Sequence, residues 1–546
     1  MKEEKKHMSI KTRTKPILSL LIAFTLVLSV LTASIPAALA APIANFAAQD
    51  LTLQPGADAT QMNFNWFSDA GDSGTPAVKI NGETVSGTQD NVTAIAETNW
   101  DKVTVTGLKA NTSYTFQVSG NGTDYSQEYS FTTASAGNFT FAAVGDPQMG
   151  ASGNVANDAS GWAATVDEIM SKDASFIAGT GDQINDTGSI AASKENEYAS
   201  FIAGLNQNGS LMPFSAVMGN HEGDGTSAPG LGRDLFGYHY NVPNAGTQTV
   251  NGVTLIDYYY IQNNVLFVVL DTSPYPASTD AATPYIAAYD SELATATATC
   301  AGQYDWLIVQ THKSEQSNAD HYNDADINAY SLAGFEDLMT KYNVDLVLTG
   351  HDHSYTRTYP FTSSGGPLAA NGVTIDRYNM GNELVNPVGT IYMTLDSASG
   401  SKYYAPKNTP KFTSKIEYQS NKPQYTMIDV TSGKLAITTY ETGSGNVIDS
   451  FTMQKMPVIK ITGVTNGNGQ ADANFAIRSA NGKGYTAYLS ESGLDGSFKA
   501  YTNVNYDAKG AHIKGLTNGK TYYAYIEYTD GKATERSGVV TLAPSK

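Results

Sequence analysis

Residues 139–148 read FTFAAVGDPQ, an apolar run that ends on Gly-Asp. Six apolar or β-branched residues fit a strand, and the Gly-Asp pair marks a turn at its carboxyl end. The pattern returns four times downstream, each time behind an apolar run: GDQIN at 181–185, GNHE at 219–222, QTHKS at 310–314 and GHDH at 350–353. A single Gly-Asp is ordinary loop punctuation, whereas five such motifs in series are hard to produce by chance. Together they offer Asp146, Asp182, Asn220, His221, His312, His351 and His353, which include four of the chain's 8 histidines. Carboxylate, amide and imidazole donors in this mixture suit two adjacent divalent or trivalent metal ions. Helical spacing appears between several of the strands, with Trp162, Val166 and Ile169 in 158–171 and Leu332, Phe335 and Leu338 in 327–342. Alternating strand and helix over 138–455 predicts a layered α/β domain whose motifs lie beyond the carboxyl ends of strands, where such sheets gather ligands.

The blocks on either side have a different texture. Residues 43–135 alternate over Met62–Phe67 and continue as short strands at 102–105, 113–118 and 128–132. Residues 457–546 look similar, with strands expected at 459–461, 485–489 and 522–528. Gly107-Leu108 precedes Tyr114 by the spacing with which Gly515-Leu516 precedes Tyr522. This local pattern resembles the tyrosine corner of fibronectin type III sandwiches, and it predicts an all-β sandwich at each end.

Residues 1–40 read as an export signal: a basic stretch with Lys2, Lys5, Lys6, Lys11, Arg13 and Lys15, the apolar run ILSLLIAFTLVLSVL at 17–31, and Ala38-Leu39-Ala40 for cleavage. Fifteen apolar residues are short of the roughly 20 that a spanning helix needs. A secreted protein with no membrane span after signal removal is therefore expected. The whole chain carries 33 basic and 52 acidic residues, net −19, and losing the basic leader makes it more acidic. Such a surface repels polyanions, which argues against a nucleic-acid polymer as partner. Lone Cys300 leaves no intramolecular disulfide.

The ordered motifs of the central block resemble the calcineurin-like metallophosphoesterase superfamily, and with a sandwich in front the chain looks most like its purple acid phosphatase branch. The resemblance implies a β-sandwich flanked by helices and a dinuclear centre of iron, manganese or zinc. It further implies that Asp182 bridges the ions, with Asp146 and His353 completing one site and Asn220, His312 and His351 the other. His221 takes the role of acid or phosphate contact. His321, nine residues after His312, resembles the second substrate-site histidine, although Tyr322 stands where a paired histidine would follow. The implied reaction is hydrolysis of a small phosphomonoester by hydroxide activated at the metal pair. Two departures stand out: Asn185 occupies the position of the colour-giving tyrosine, and Gln148 occupies that of the histidine two residues after the first aspartate. Two further readings stay open: a phosphodiesterase on nucleotides or lipid head groups, and a surface-binding protein with an inert centre. A cell-surface or matrix contact through 457–546 also stays open. Glu222 is read as orienting the His221 ring, and His239 and His512 as structural.

Overall fold

The computed structural model describes residues 48–546 apart from 93–94, 96–97, 187–190, 224–230, 367–371, 378, 409, 432, 456–458, 478–483, 495, 508–509 and 530–533. The leader expected at 1–40 lies outside the described residues. No described helix is long and apolar enough to cross a membrane.

The strand Phe139–Val144 lies inside a seven-stranded sheet, parallel to Ile177–Gly179 and antiparallel to Gln424–Thr431, with Ile177 opposite Ala142 and Ile428 opposite Phe141. A second seven-stranded sheet takes the order Tyr258–Gln262, Val265–Leu270, Trp306–Thr311, Leu346–Thr349, Ile391–Thr394, Tyr355–Thr358 and Ser414–Tyr418. Its second to fifth strands pair in parallel. The two sheets share one core, in which Phe141 stacks on Phe176 at 5.2 Å and meets Phe267 edge-on at 5.2 Å. The strand Val265–Leu270 explains why these runs are apolar without alternation. Val265, Phe267 and Val269 enter the core between the sheets, while Leu266, Val268 and Leu270 pack outward against the helices Thr279–Thr299, Ala325–Ala333 and Phe335–Lys341. The helices Val155–Met170 and Ala191–Gly204 cover the first sheet through Trp162, Val166, Ile169, Tyr198 and Phe201. The centre is thus the expected β-sandwich flanked by helices.

One expected helix is corrected. Residues 327–342 are two helices, because Gly334 adopts φ +102 and closes the first by donating its N–H to Ser331 O and Tyr330 O. The break turns Leu332 outward, so this residue of the expected apolar face is 51% exposed, while Phe335 and Leu338 stay buried.

The N-terminal block is a sandwich. One sheet takes the order Gln49–Pro55, Met62–Asp69, Thr98–Val105, Thr88–Asn91; the other contains Tyr129–Thr132, Ser113–Ser119, Ala77–Ile80 and Glu83–Ser86. The hairpin Asn206–Gln207/Ser210–Leu211 of the central block extends that second sheet, pairing Ser210 with Ser130. Further contacts fix the sandwich in place. Thr52 Oγ1 donates to His239 O at 2.9 Å, Asn63 Nδ2 to Asn241 O at 2.8 Å and Asn65 Nδ2 to Tyr238 O at 2.8 Å. Residues 459–542 form a second pair of antiparallel sheets around Ile459, Ala487, Ile513 and Ile526.

Both tyrosine corners form. Tyr114 Oη accepts the Lys109 N–H at 2.8 Å and Tyr522 Oη accepts the Thr517 N–H at 3.1 Å, each five residues back. Gly107 and Gly515 precede them at φ +74 and +75, which glycine adopts without steric cost. Replacing Tyr114 with Phe removes the acceptor while keeping the ring. The N-terminal sandwich should lose about 1 kcal/mol, read as a lower denaturant midpoint by tryptophan fluorescence, with Trp66 as the buried reporter.

Candidate metal centre

Each motif lies at or shortly beyond the carboxyl end of a strand of the sandwich. The backbone there turns through conformations that side chains rarely accept: Asp146 (φ +36), Gln148 (+38), Asp182 (+48), His351 (+70) and His353 (+38). Among the described residues every other non-glycine position with positive φ is Asn or Asp, so Gln148, His351 and His353 are the exceptions. Strain of this kind persists only where surrounding contacts enforce it.

Those contacts are visible. Buried Glu222 accepts the backbone N–H groups of Gly219 (2.8 Å), Asp182 (3.1 Å) and Ile184 (3.0 Å), tying the second motif to the third. Both carboxylate oxygens of Asp146 accept the His351 N–H at 2.9 Å, tying the first to the fifth. The motif glycines are needed for clearance. A Cβ on Gly350 would overlap Asp146 Oδ2, and one on Gly219 would overlap Asp182 Oδ1.

The donors converge. Ligand atoms of Asp182, His312 and His351 lie within 4.8 Å of one another. His312 Nε2 is 2.9 Å from Asn220 Oδ1, 3.2 Å from His351 Nδ1 and 3.4 Å from Asp182 Oδ1. His312 Nδ1 donates to Thr180 O at 2.8 Å and lies 3.8 Å from Asp146 Oδ1. His353 stands apart from the trio, with Nδ1 3.2 Å from Lys402 O and its ring against Tyr404 at 5.3 Å.

His221 sits at the mouth, 29% exposed, with its N–H donated to Asp182 Oδ1 at 3.0 Å. Its Nδ1 meets Asn185 O at 3.0 Å, and its Nε2 lies 3.9 Å from Asp182 Oδ2. Glu222 therefore does not orient the His221 ring. It faces the opposite way, into the backbone, and the Asn185 carbonyl holds the ring. His321 joins the group, stacked on His351 at 4.2 Å with Nδ1 2.7 Å from Asp324 Oδ2. Its backbone N–H donates to Asp352 Oδ1 at 2.7 Å, so the Asp between the two histidines of GHDH positions this loop. His239 and His512 lie elsewhere, the first buried against Tyr198 and the second between Asp472 and Asp507.

The electrostatics fit a cation site. Burial pushes the Asp146 carboxyl up. Burial opposes ionisation of Asp182 too, but His312 and His221 hold its carboxyl well below the usual carboxylate range. Burial keeps His351 neutral, and burial together with Lys402 holds His353 down to about 3, so both imidazoles keep a lone pair for coordination. Gln148 beside Asp146 is fully buried with neither amide atom hydrogen-bonded, as is Gln54 in the N-terminal sandwich. A buried, unsatisfied amide costs about 1–3 kcal/mol per group, and an oxygen donor aimed at a cation removes that cost. Gln148 stands out in the sequence as a departure that could supply an amide oxygen, whereas Glu222 and Asp352 are not legible there as loop anchors. Their only signal there was position inside or beside a motif.

Comparison with known proteins agrees with this geometry. Residues 139–355 match the calcineurin-like phosphoesterase family, and residues 48–133 match the purple acid phosphatase N-terminal domain. The chain thus carries a calcineurin-like metallophosphoesterase domain, the domain of metal-dependent phosphoester hydrolases with dinuclear centres. Joined to that N-terminal domain, it is of the purple acid phosphatase type. Two uncharacterized proteins of Mycobacterium tuberculosis, from strains CDC 1551 and H37Rv, are each 25% identical over 201 residues, covering 35% of this chain and 36% of theirs. The matched stretch spans about a third of the length of these curated relatives. A purple acid phosphatase from yellow lupin (Lupinus luteus) seeds shares the fold, with a TM-score of 0.56 and 16% identity over 76% of this chain and 75% of that one.

Glu222→Ala should detach three backbone N–H groups from their common acceptor. Thermal stability should fall by about 1–3 kcal/mol for each buried N–H left without an acceptor, and bound metal by elemental analysis should fall with it. Glu222→Gln keeps an acceptor and should lose less of both.

Proposed function

We propose that the chain is an exported phosphomonoesterase that works with two metal ions. The observation that supports this best is the meeting of Asp182, His312, His351 and Asn220 in one pocket, with His221 half-exposed at its mouth. In this reading Asp182 bridges the ions. Asp146, His353 and the Gln148 amide oxygen hold one, and Asn220, His312 and His351 hold the other. Mixed oxygen and nitrogen donors leave iron, manganese and zinc all eligible. Two such ions supply Lewis acidity, activating water and taking up phosphoryl charge.

The chain's own residues do the rest. The carbonyl of Asn185 accepts a hydrogen bond from His221 Nδ1–H, which aims Nε2 at the pocket, and as the imidazolium the ring can give its Nε2 proton to the leaving oxygen. Asp324 holds His321 Nδ1, so that its Nε2 meets a phosphoryl oxygen. Asp352 and Glu222 fix the loops that carry these two rings. Buried walls and partnered carboxylates keep the site dry and its geometry set before substrate arrives.

Assayed after loading with manganese, zinc or iron, the protein should prefer an aryl phosphate to a bis-aryl phosphate. Preference for the diester would move the reading to a phosphodiesterase, and metal-free protein inert to both would favour the binding protein. His221→Ala should keep its metal and lose about 10²–10⁴-fold in turnover, the usual size for a general acid. Asp182→Ala should bind fewer than two ions, and unchanged stoichiometry would remove its bridging role. With Asn185 in place, the iron-loaded protein should be colourless, and Asn185→Tyr should add a visible absorption band.

A further inference from the structure

The cavity that reaches His221, His321 and His351 has a volume of about 320 Å³, and its outer wall includes Tyr275 and Lys313. That is the lower end of the range for small-ligand pockets, about 300–1,000 Å³. Tyr275 is 56% exposed, although the loop that carries it is tightly held. Lys313 Nζ donates to Ser273 O at 3.1 Å and Pro274 O at 2.8 Å, and Tyr330 Oη donates to Pro274 O at 3.1 Å. Ser273 is held in turn by Asp271 at 2.7 Å and Arg233 at 2.6 Å. The ring is therefore presented to the cavity on a fixed backbone, with the Lys313 ammonium 5.1 Å from its centroid. A large, half-exposed aromatic on a rigid loop at the rim of a small pocket has the form of a stacking platform.

The charges around it narrow the choice of ligand. Lys313 is 1% exposed and paired with Asp326 at 2.6 Å, so its cation is spent inside the wall. Apart from Lys313 and the histidines, the described residues lining the cavity include no basic side chain, while Asp186, Asp324 and Asp326 contribute carboxylates. Asp186 pairs with Lys194 and Asp324 with His321. Beyond the metal donors, the described wall thus offers an aromatic face and no uncommitted lysine or arginine for a second phosphate.

We propose that Tyr275 stacks on the leaving group and that, in a wall whose described residues offer no uncommitted lysine or arginine, it selects phosphomonoesters of planar, uncharged aromatic alcohols over aliphatic esters and polyphosphates. This rests on the phosphomonoesterase reading. The test uses the metal-loaded full protein, wild type and Tyr275→Ala, with phenyl phosphate, glycerol phosphate and pyrophosphate as substrates. Phenylphosphonate and ethylphosphonate serve as unreactive ligands in calorimetry. Tyr275→Ala should raise KM for phenyl phosphate and Kd for phenylphosphonate about tenfold, equal to about 1.4 kcal/mol. It should leave kcat and the aliphatic ligands within about twofold, and Tyr275→Phe should restore the aryl values. Wild type should use pyrophosphate with a kcat/KM at least about tenfold below that for phenyl phosphate. Equal losses on aryl and aliphatic ligands, or equal use of pyrophosphate, would overturn the inference and leave the phosphomonoesterase reading standing. If the wild type turned over no ester and bound neither phosphonate, that reading would fall and the inference with it.

Discussion

Glu222 is the contact on which the rest of the site depends. Its carboxylate takes three backbone N–H groups from two separate loops, and without them the chain at Asp182 would have no reason to hold φ +48. Each such hydrogen bond contributes about 0.5–1.5 kcal/mol net, and three together offset part of the strain at the positive-φ positions nearby. Burial and the neighbouring Asp182 push its carboxyl upward, and the backbone donors pull the other way. On balance the carboxyl is raised to about 8, so the backbone donors offset burial only in part.

The same geometry explains why the donors sit where they do. A strand of the sandwich delivers its last residue to the rim with side chains alternating between the two cores, and neither core is a place for an imidazole. Turning the backbone left-handed just past the strand end sends His351 and His353 toward the rim. Gly350 gives Asp146 room to meet the His351 N–H. The turn recurs in three of the five motifs, at Asp146 and Gln148, at Asp182, and at His351 and His353.

Much of this was legible in the sequence. The apolar runs gave the strands because both faces of each are covered, and the tyrosine spacing gave both corners to the hydrogen bond. The helix at 327–342 was misjudged because apolar spacing persists across Gly334, and spacing carries no record of a left-handed turn. The loop anchors were harder. Glu222, Asp352 and Lys313 are charged residues next to donors, and charge alone suggests solvent or catalysis. Their actual partners are backbone groups or a distant aspartate. Tyr275 belongs to no motif, and only its exposure beside the cavity draws notice.

Anchors and donors are largely different residues, and this division accounts for the departures at Gln148 and Asn185. The loops are held by Glu222, by Asp352 and by the Asp146 contact to His351, none of which involves either side chain. Asn185 contributes through its backbone instead, accepting from His221 and donating to Glu197 Oε2 at 3.0 Å. Gln148 likewise holds its place by its N–H, which donates to Asp182 O at 2.8 Å. The backbone bonds made at 148 and 185 do not depend on which side chain stands there. The anchors of the metal-site loops are thus backbone contacts, made by residues other than the candidate donors at 148 and 185.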